Sequence, residues 1–149
     1  MKKAFTLVEV LIVLTLLVII FGMVALYSGA SQVRADLNSQ VAIFVSHARL
    51  QQSEAAAGKN DQSFGIHIES GAYTLFEGSA YSSSDPGNNV MDLPPTLEIQ
   101  NILLNGGGPE VLFLPPYGET NNFGTLNFYS TSLDQSITIT ISSLGTLNY

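Results

Sequence analysis

The residues best placed to take part in chemistry are three charged side chains near the N-terminus. Lys2 and Lys3 precede an apolar segment that runs from Ala4 to Tyr27, and Glu9 is the only charged residue within it. An ionisable group inside an apolar helix is costly unless it is paired, so it indicates function. We therefore interpret Glu9 as a candidate functional residue. The alternative is an acid that merely extends toward the lipid headgroups.

The sequence lacks the usual signatures of catalysis. His47 and His67 are the only histidines, neither has a partner at a ligand spacing, and structural roles are favoured for both. No G-x-S-x-G motif occurs, and the glycine-rich stretch 105–109 lacks the Lys-Ser/Thr of a phosphate loop. We predict no enzyme activity, no cofactor and no catalytic residue.

One group of polar residues is a candidate for binding a calcium ion. Four oxygen-bearing side chains that suit calcium occur close together in the sequence: Asp85, Asn88, Asn89 and Asp92. Their spacing fits no defined calcium loop, so an ordinary polar turn is favoured and no metal site is predicted.

The apolar segment is long enough to span a membrane. At about 1.5 Å per residue, a helix over residues 5–27 crosses a hydrocarbon core of about 30 Å. Lys2 and Lys3 predict that the short N-terminal tail stays in the cytoplasm. Two alternatives are a secretory signal peptide cut near residues 28–30 and a plain membrane anchor. A plain anchor gives no reason for Glu9.

The segment KKAFTLVEVL at residues 2–11 closely resembles the class III signal of type IV prepilins and pseudopilins. The resemblance implies that a membrane-embedded aspartyl peptidase cuts between Ala4 and Phe5 and then N-methylates Phe5. It also implies that Glu9, the fifth mature residue, neutralises the terminal amine of an adjacent subunit. The family usually has Gly before the cut, where this chain has Ala4.

Hydrophobic periodicity predicts that the helix continues beyond the apolar segment. Six apolar residues within 30–57 fall on one helical face and predict a surface that docks a head: Val33, Leu37, Val41, Phe44, Val45 and Ala48. Gly58 and the turn at residues 59–61 are expected to end the helix.

After residue 60 the sequence changes to short strands and turns. Residues 62–68 and 72–77 predict a hairpin, and 136–142 alternates with Ile137, Ile139 and Ile141 on one face. Further strands are predicted at 96–104, 111–114, 125–130 and the C-terminus, with loops at 79–89 and 115–122. The predicted fold is α+β, with a long N-terminal helix packed on an antiparallel sheet or small sandwich of about six to eight strands.

The head is similar to that of the GspH/FimT-type minor pseudopilins. The similarity rests on the junction VSHARLQQSEAAAGKN, the hairpin FGIHIESGAYTLFEG and the closing ITITISSLGTLNY. Some family members bind DNA through basic residues near the C-terminus. This chain has no Lys or Arg beyond Lys59, so we predict no nucleic-acid binding.

These observations divide the chain into a leader at 1–4, a transmembrane and filament-core helix at 5–29, an amphipathic helix half at 30–58 and a β head at 59–149. The resemblance implies a structural subunit, more similar to a minor than to a major one, of a type IV pilus or a type II secretion pseudopilus. A major pilin and a membrane-anchored β-domain binding module or adhesin are the alternatives.

The same resemblance implies the partners and the location. The implied partners are the prepilin peptidase, other pilin or pseudopilin subunits, an inner-membrane assembly platform and membrane lipid. The implied location is the bacterial inner membrane, as a single span with a cytoplasmic N-terminus, before assembly into a periplasmic or surface filament.

Overall fold

A computed structural model of the protein describes residues 6–149, apart from the side chains of residues 24–31. One helix, α1, extends over Leu7–Ala56. Thr6 caps its N-terminus, and the Thr6 side chain accepts a hydrogen bond from the Glu9 backbone N–H at 3.3 Å. Gly58 follows the helix with a left-handed φ of 65°, and a single 3-10 turn covers Lys59–Asp61. The predicted helix end is confirmed.

The head contains nine strands within the described residues, joined by turns and loops. They are β1 (Phe64–Ile68), β2 (Ala72–Glu77), β3 (Asn89–Asp92), β4 (Leu97–Leu104), β5 (Glu110–Leu114), β6 (Glu119–Thr120), β7 (Gly124–Ser130), β8 (Gln135–Ile141) and β9 (Leu147–Asn148). The first sheet has the strand order β3-β2-β1-β5-β6, and the second has the order β4-β7-β8-β9. Every neighbouring pair is antiparallel.

The core lies where α1 meets both sheets. Five of the six predicted stripe residues are buried, and the sixth, Val33, is half-buried. Phe44 lies at the centre of this contact. Its ring centroid is 5.0 Å from that of Tyr73 on β2 and 5.3 Å from that of Phe128 on β7. One helical side chain therefore joins the two sheets, and α1 acts as the third layer of the domain.

The pilin-like α+β arrangement predicted from the sequence is confirmed. The predicted β1–β2 hairpin is present, and its strands pair from Phe64 with Glu77 to Ile68 with Tyr73. The strand β6 lies in the predicted loop 115–122, and β3 extends from the end of the predicted loop 79–89 into residues with no predicted element. The strand β3 is mostly exposed and lacks an apolar alternation, and β6 is only two residues long, so neither produces a recognisable strand pattern.

Candidate assembly surface

The N-terminal third of α1 projects beyond the head and carries apolar side chains on all sides. Residues 7–23 are exposed throughout, including Val18 at 71% and Phe21 at 69%, whereas Leu37 is the first buried residue among the described side chains of α1. At about 1.5 Å per residue, this exposed segment is about 25 Å long. An apolar surface of that size marks a contact with lipid or with other proteins.

Within the part of the chain that the structure describes, no helical segment combines the length and apolar character that crossing a membrane requires.

Glu9 lies in the first turn of this exposed helix. Its backbone N–H bonds to the Thr6 side chain, and Thr6-x-x-Glu9 has the spacing of a capping box. The carboxylate of Glu9 forms no hydrogen bond or ion pair with the described residues, so the second half of that box is not made. The negative charge of Glu9 also interacts favourably with the positive N-terminal end of the helix dipole. This local role is not part of the sequence prediction, although the spacing indicates it.

The other predicted signal residues, Lys2, Lys3, Ala4 and Phe5, lie outside the described residues. Their predicted roles in orientation, cleavage and methylation therefore stay predictions.

The two histidines lie in different environments of the head. His47 on α1 is half-buried, and its Nδ1 is 2.9 Å from the Tyr73 hydroxyl in a hydrogen bond that ties the helix to β2. Burial of this phenol raises the pKa of Tyr73 to about 12.

His67 has partners that sequence spacing does not predict. Its Nδ1 lies 3.3 Å from Glu110, its Nε2 lies 3.6 Å from Glu69, and its ring stacks on Tyr81 at 3.9 Å between centroids. The β1–β5 register places Glu110 opposite His67, although 43 residues separate them. Even so, no group of three or more His, Cys, Asp or Glu residues among residues 6–149 is arranged to hold a metal ion.

The polar segment considered for calcium forms a turn followed by β3. Asp85 accepts a hydrogen bond from the Gly87 backbone at 2.8 Å, and the Asn88 amide donates to the Ser82 carbonyl at 2.7 Å. Asn89 and Asp92 lie at opposite ends of β3, paired with Leu75 and Ala72. These hydrogen bonds show that Asp85 and Asn88 stabilise the turn. Asn89 and Asp92 belong to β3, where the length of the strand separates them.

A surface cavity of about 350 Å³ lies at the end of the head where α1 ends. It is lined by the segment from Leu114 to Asn121, apart from Gly118, and by Ser143 and Leu144. Tyr117 and Leu144 are strongly exposed there, and Glu119 is the only carboxylate in the lining. The lining combines exposed apolar and aromatic side chains with hydroxyl and amide groups.

Comparison with known families bears on the exposed helix and the signal before it. Residues 1–25 match the family model described as the prokaryotic N-terminal methylation motif. No curated protein and no solved structure matches the chain. The matched motif covers Glu9 and most of the exposed apolar surface. The N-terminus of this chain is therefore a type IV prepilin-like class III signal, which supports a protein of the type IV pilin or pseudopilin kind.

Proposed function

We propose that the chain is a structural subunit of a type IV pilus or a type II secretion pseudopilus. Prepilin peptidase removes residues 1–4 and methylates Phe5. The segment 5–29 first anchors the chain in the inner membrane and then packs in the filament core. Residues 30–58 hold the β head, 59–149, on the outside. An inner-membrane platform extracts the subunit into the filament.

The observation that carries this proposal is the methylation motif on a helix whose apolar surface has no partner within one copy. Burial of that surface among other subunits removes it from water or lipid, and an unpaired Glu9 carboxylate in that setting is costly. The cleaved chain supplies the matching positive charge at the amine of Phe5. Pairing of Glu9 with that amine on a neighbour sets the axial register.

The similarity of the head to GspH/FimT-type subunits favours a minor subunit. A major subunit is a second candidate, which the N-terminal methylation motif fits equally.

The test replaces Glu9 by Gln in the full chain in its native host. The variant keeps the side-chain shape and loses the charge, so it should insert and be cleaved normally. Its assembled fraction should fall at least about tenfold, because the neighbour's buried amine loses its counter-charge. The fraction is measured by shearing filaments and comparing sheared with membrane-bound protein.

Thr6→Ala is the matched control, because it removes the helix cap and keeps the acid. A small loss in helix stability, about 1 kcal/mol, should leave assembly near the wild-type level. Wild-type assembly of Glu9→Gln would contradict the proposal and favour a membrane-anchored binding module, which has no use for this acid.

A further inference from the structure

The turn that joins β4 to β5 contains a reactive pair that the proposed function does not use. Asn105 is followed by Gly106, and this is the only Asn-Gly pair in the sequence. The backbone nitrogen of the residue after an asparagine can attack the side-chain amide carbon of that asparagine. Glycine favours this attack, because it has no Cβ to obstruct the approach and reaches backbone conformations that other residues rarely adopt. The pair is therefore a candidate for deamidation, which needs only water.

The structure leaves the attacking nitrogen and its surroundings open. Both residues of the pair are exposed, and the Gly106 N–H forms no hydrogen bond with the described residues. Gly106 has a φ of +91°, and the nearest atom to a Cβ built there is Asn122 Nδ2 at 3.4 Å. Nothing lies within 4 Å of a Cβ built at Gly107 or Gly108. A five-membered ring therefore has room to form in the folded protein, and water can reach it.

One hydrogen bond restrains the side chain under attack. The Asn105 amide Nδ2 donates to the Asn121 carbonyl at 2.8 Å, and the side-chain oxygen of Asn105 forms no hydrogen bond with the described residues. A hydrogen bond between exposed groups contributes little net free energy, because water competes for both partners. Its loss changes a rate by about tenfold at most. The bond therefore slows the reaction in the folded state and does not prevent it.

We propose that Asn105 of the folded chain deamidates and that this loosens the β4–β5 turn. The Gly106 nitrogen bonds to the Asn105 side-chain carbon Cγ, the bond from Cγ to Nδ2 breaks, and ammonia leaves with the proton from Gly106. The succinimide ring then takes up one water molecule. Opening at Cγ gives aspartate, and opening at the backbone carbonyl carbon gives isoaspartate. The net reaction converts the amide and water to a carboxylic acid and ammonia, with no oxidant, reductant or cofactor.

Asn105 ties this turn to the segment before β7, so its deamidation has a structural consequence. Its backbone N–H donates to the Phe123 carbonyl at 2.8 Å, and its own backbone carbonyl accepts from Asn122 Nδ2 at 3.3 Å. A carboxylate cannot donate, so the side-chain bond to Asn121 is lost and two oxygens face each other. Isoaspartate also lengthens the backbone by one carbon at this point. The product is a loosened turn with one more negative charge on an acidic head.

Peptide mapping of the full chain in detergent tests the reaction. Native and denatured samples are kept in the same mildly alkaline buffer and digested at intervals with a protease that cuts after glutamate, because trypsin has no site in this part of the chain. Cuts after Glu98 and Glu110 release residues 99–110, which contain both Asn105 and Asn101. We expect a gain of about one mass unit at Asn105 and none at Asn101, because a bulky isoleucine follows the latter. The native rate should lie within about tenfold of the denatured rate.

Two variants sharpen the assignment. Asn105→Gln keeps the amide but would need a larger ring, so residues 99–110 should gain no mass. Gly106→Ala keeps Asn105 and obstructs the attack, so conversion should slow at least about fivefold. A native rate below the expected range, or a mass gain in Asn105→Gln at the wild-type rate, would overturn the proposal.

Hydrogen exchange tests the loosened turn separately. Asn105→Asp reproduces one product and loses the donor to Asn121, so the backbone amides of residues 105–107 and 121–124 should exchange at least about threefold faster than in the wild type. Asn101→Asp adds the same charge at an exposed residue of β4 and should leave exchange in these segments unchanged. Equal exchange in the two variants would overturn the loosening of the turn. The inference goes beyond the proposed function, and neither experiment requires filaments, so its failure would leave the proposed function intact.

Discussion

Glu9 has two physical roles that act at the same end of α1. Its backbone completes the cap at Thr6, and its negative charge suits the positive end of the helix. Its carboxylate has no partner among the described residues, and the proposed function pairs it with the amine of a neighbouring subunit. The apolar surroundings that mark Glu9 are visible in the sequence. The partners of His67 and the unpaired oxygen of Gln51 depend on strand pairing and helix docking, so no local pattern reveals them.

Tyr73 provides a test of packing at the same scale. Its folded-state pKa of about 12 lies above the usual value of 10, so the folded state holds this proton more tightly. The resulting stability is fully present below about pH 10 and is lost as the pH rises toward 12, by up to about 2 kcal/mol. Denaturant unfolding of the full chain in detergent at several pH values measures this loss.

Tyr73→Phe removes the titrating group and its bond to His47. The variant should have an unfolding free energy about 1 kcal/mol below that of the wild type at pH 9. This difference should close near about pH 11 and reverse toward pH 12, because only the wild type loses the stability that depends on the Tyr73 proton. Tyr117→Phe, at an exposed ring, is the control and should leave the wild-type profile nearly unchanged. A constant difference in unfolding free energy between the wild type and Tyr73→Phe across this range would contradict the raised pKa of Tyr73.

The elements differ in how far their sequences determine them. The docking face of α1 follows from apolar spacing alone, because a buried helical face needs a side chain every three or four residues. The strand β8 is predictable because alternate residues of a strand point to the same face of the sheet. It buries Ile139 and Ile141 in this way. The strand β3 is held at the sheet edge by pairing with β2 and is mostly exposed, so its sequence carries no such period.

The junction between the end of α1 and the β5–β6 turn tests element packing. A Cβ at Gly118, where φ is +68°, would lie 2.7 Å from the Gln52 backbone oxygen. A backbone atom of a docked helix cannot move aside easily, so Gly118→Ala should destabilise the head by about 2–4 kcal/mol.

Gly107 offers a matched control for that change. Its φ is +72°, and nothing lies within 4 Å of a Cβ built there. Gly107→Ala should therefore cost only the backbone strain, about 1 kcal/mol. Thermal or denaturant unfolding compares the two variants, and equal losses would show that the α1 contact does not constrain Gly118.

The whole molecule separates an apolar helix from an acidic head. The fold class follows from the sequence because a long helical pattern precedes a run of short strands. The division of nine strands into two sheets does not, since the pairing of β1 with β5 and of β4 with β7 joins segments far apart in the chain. The head carries only negative side-chain charge after Lys59, and such a surface repels phosphate backbones.

The central claim is that the chain is a processed filament subunit, and its native N-terminus tests this most directly. Mass spectrometry of the protein isolated from the membranes and filaments of its host should show a mature chain that begins with N-methylated Phe5. An intact Met1, or a chain that begins after residue 30, would contradict the account.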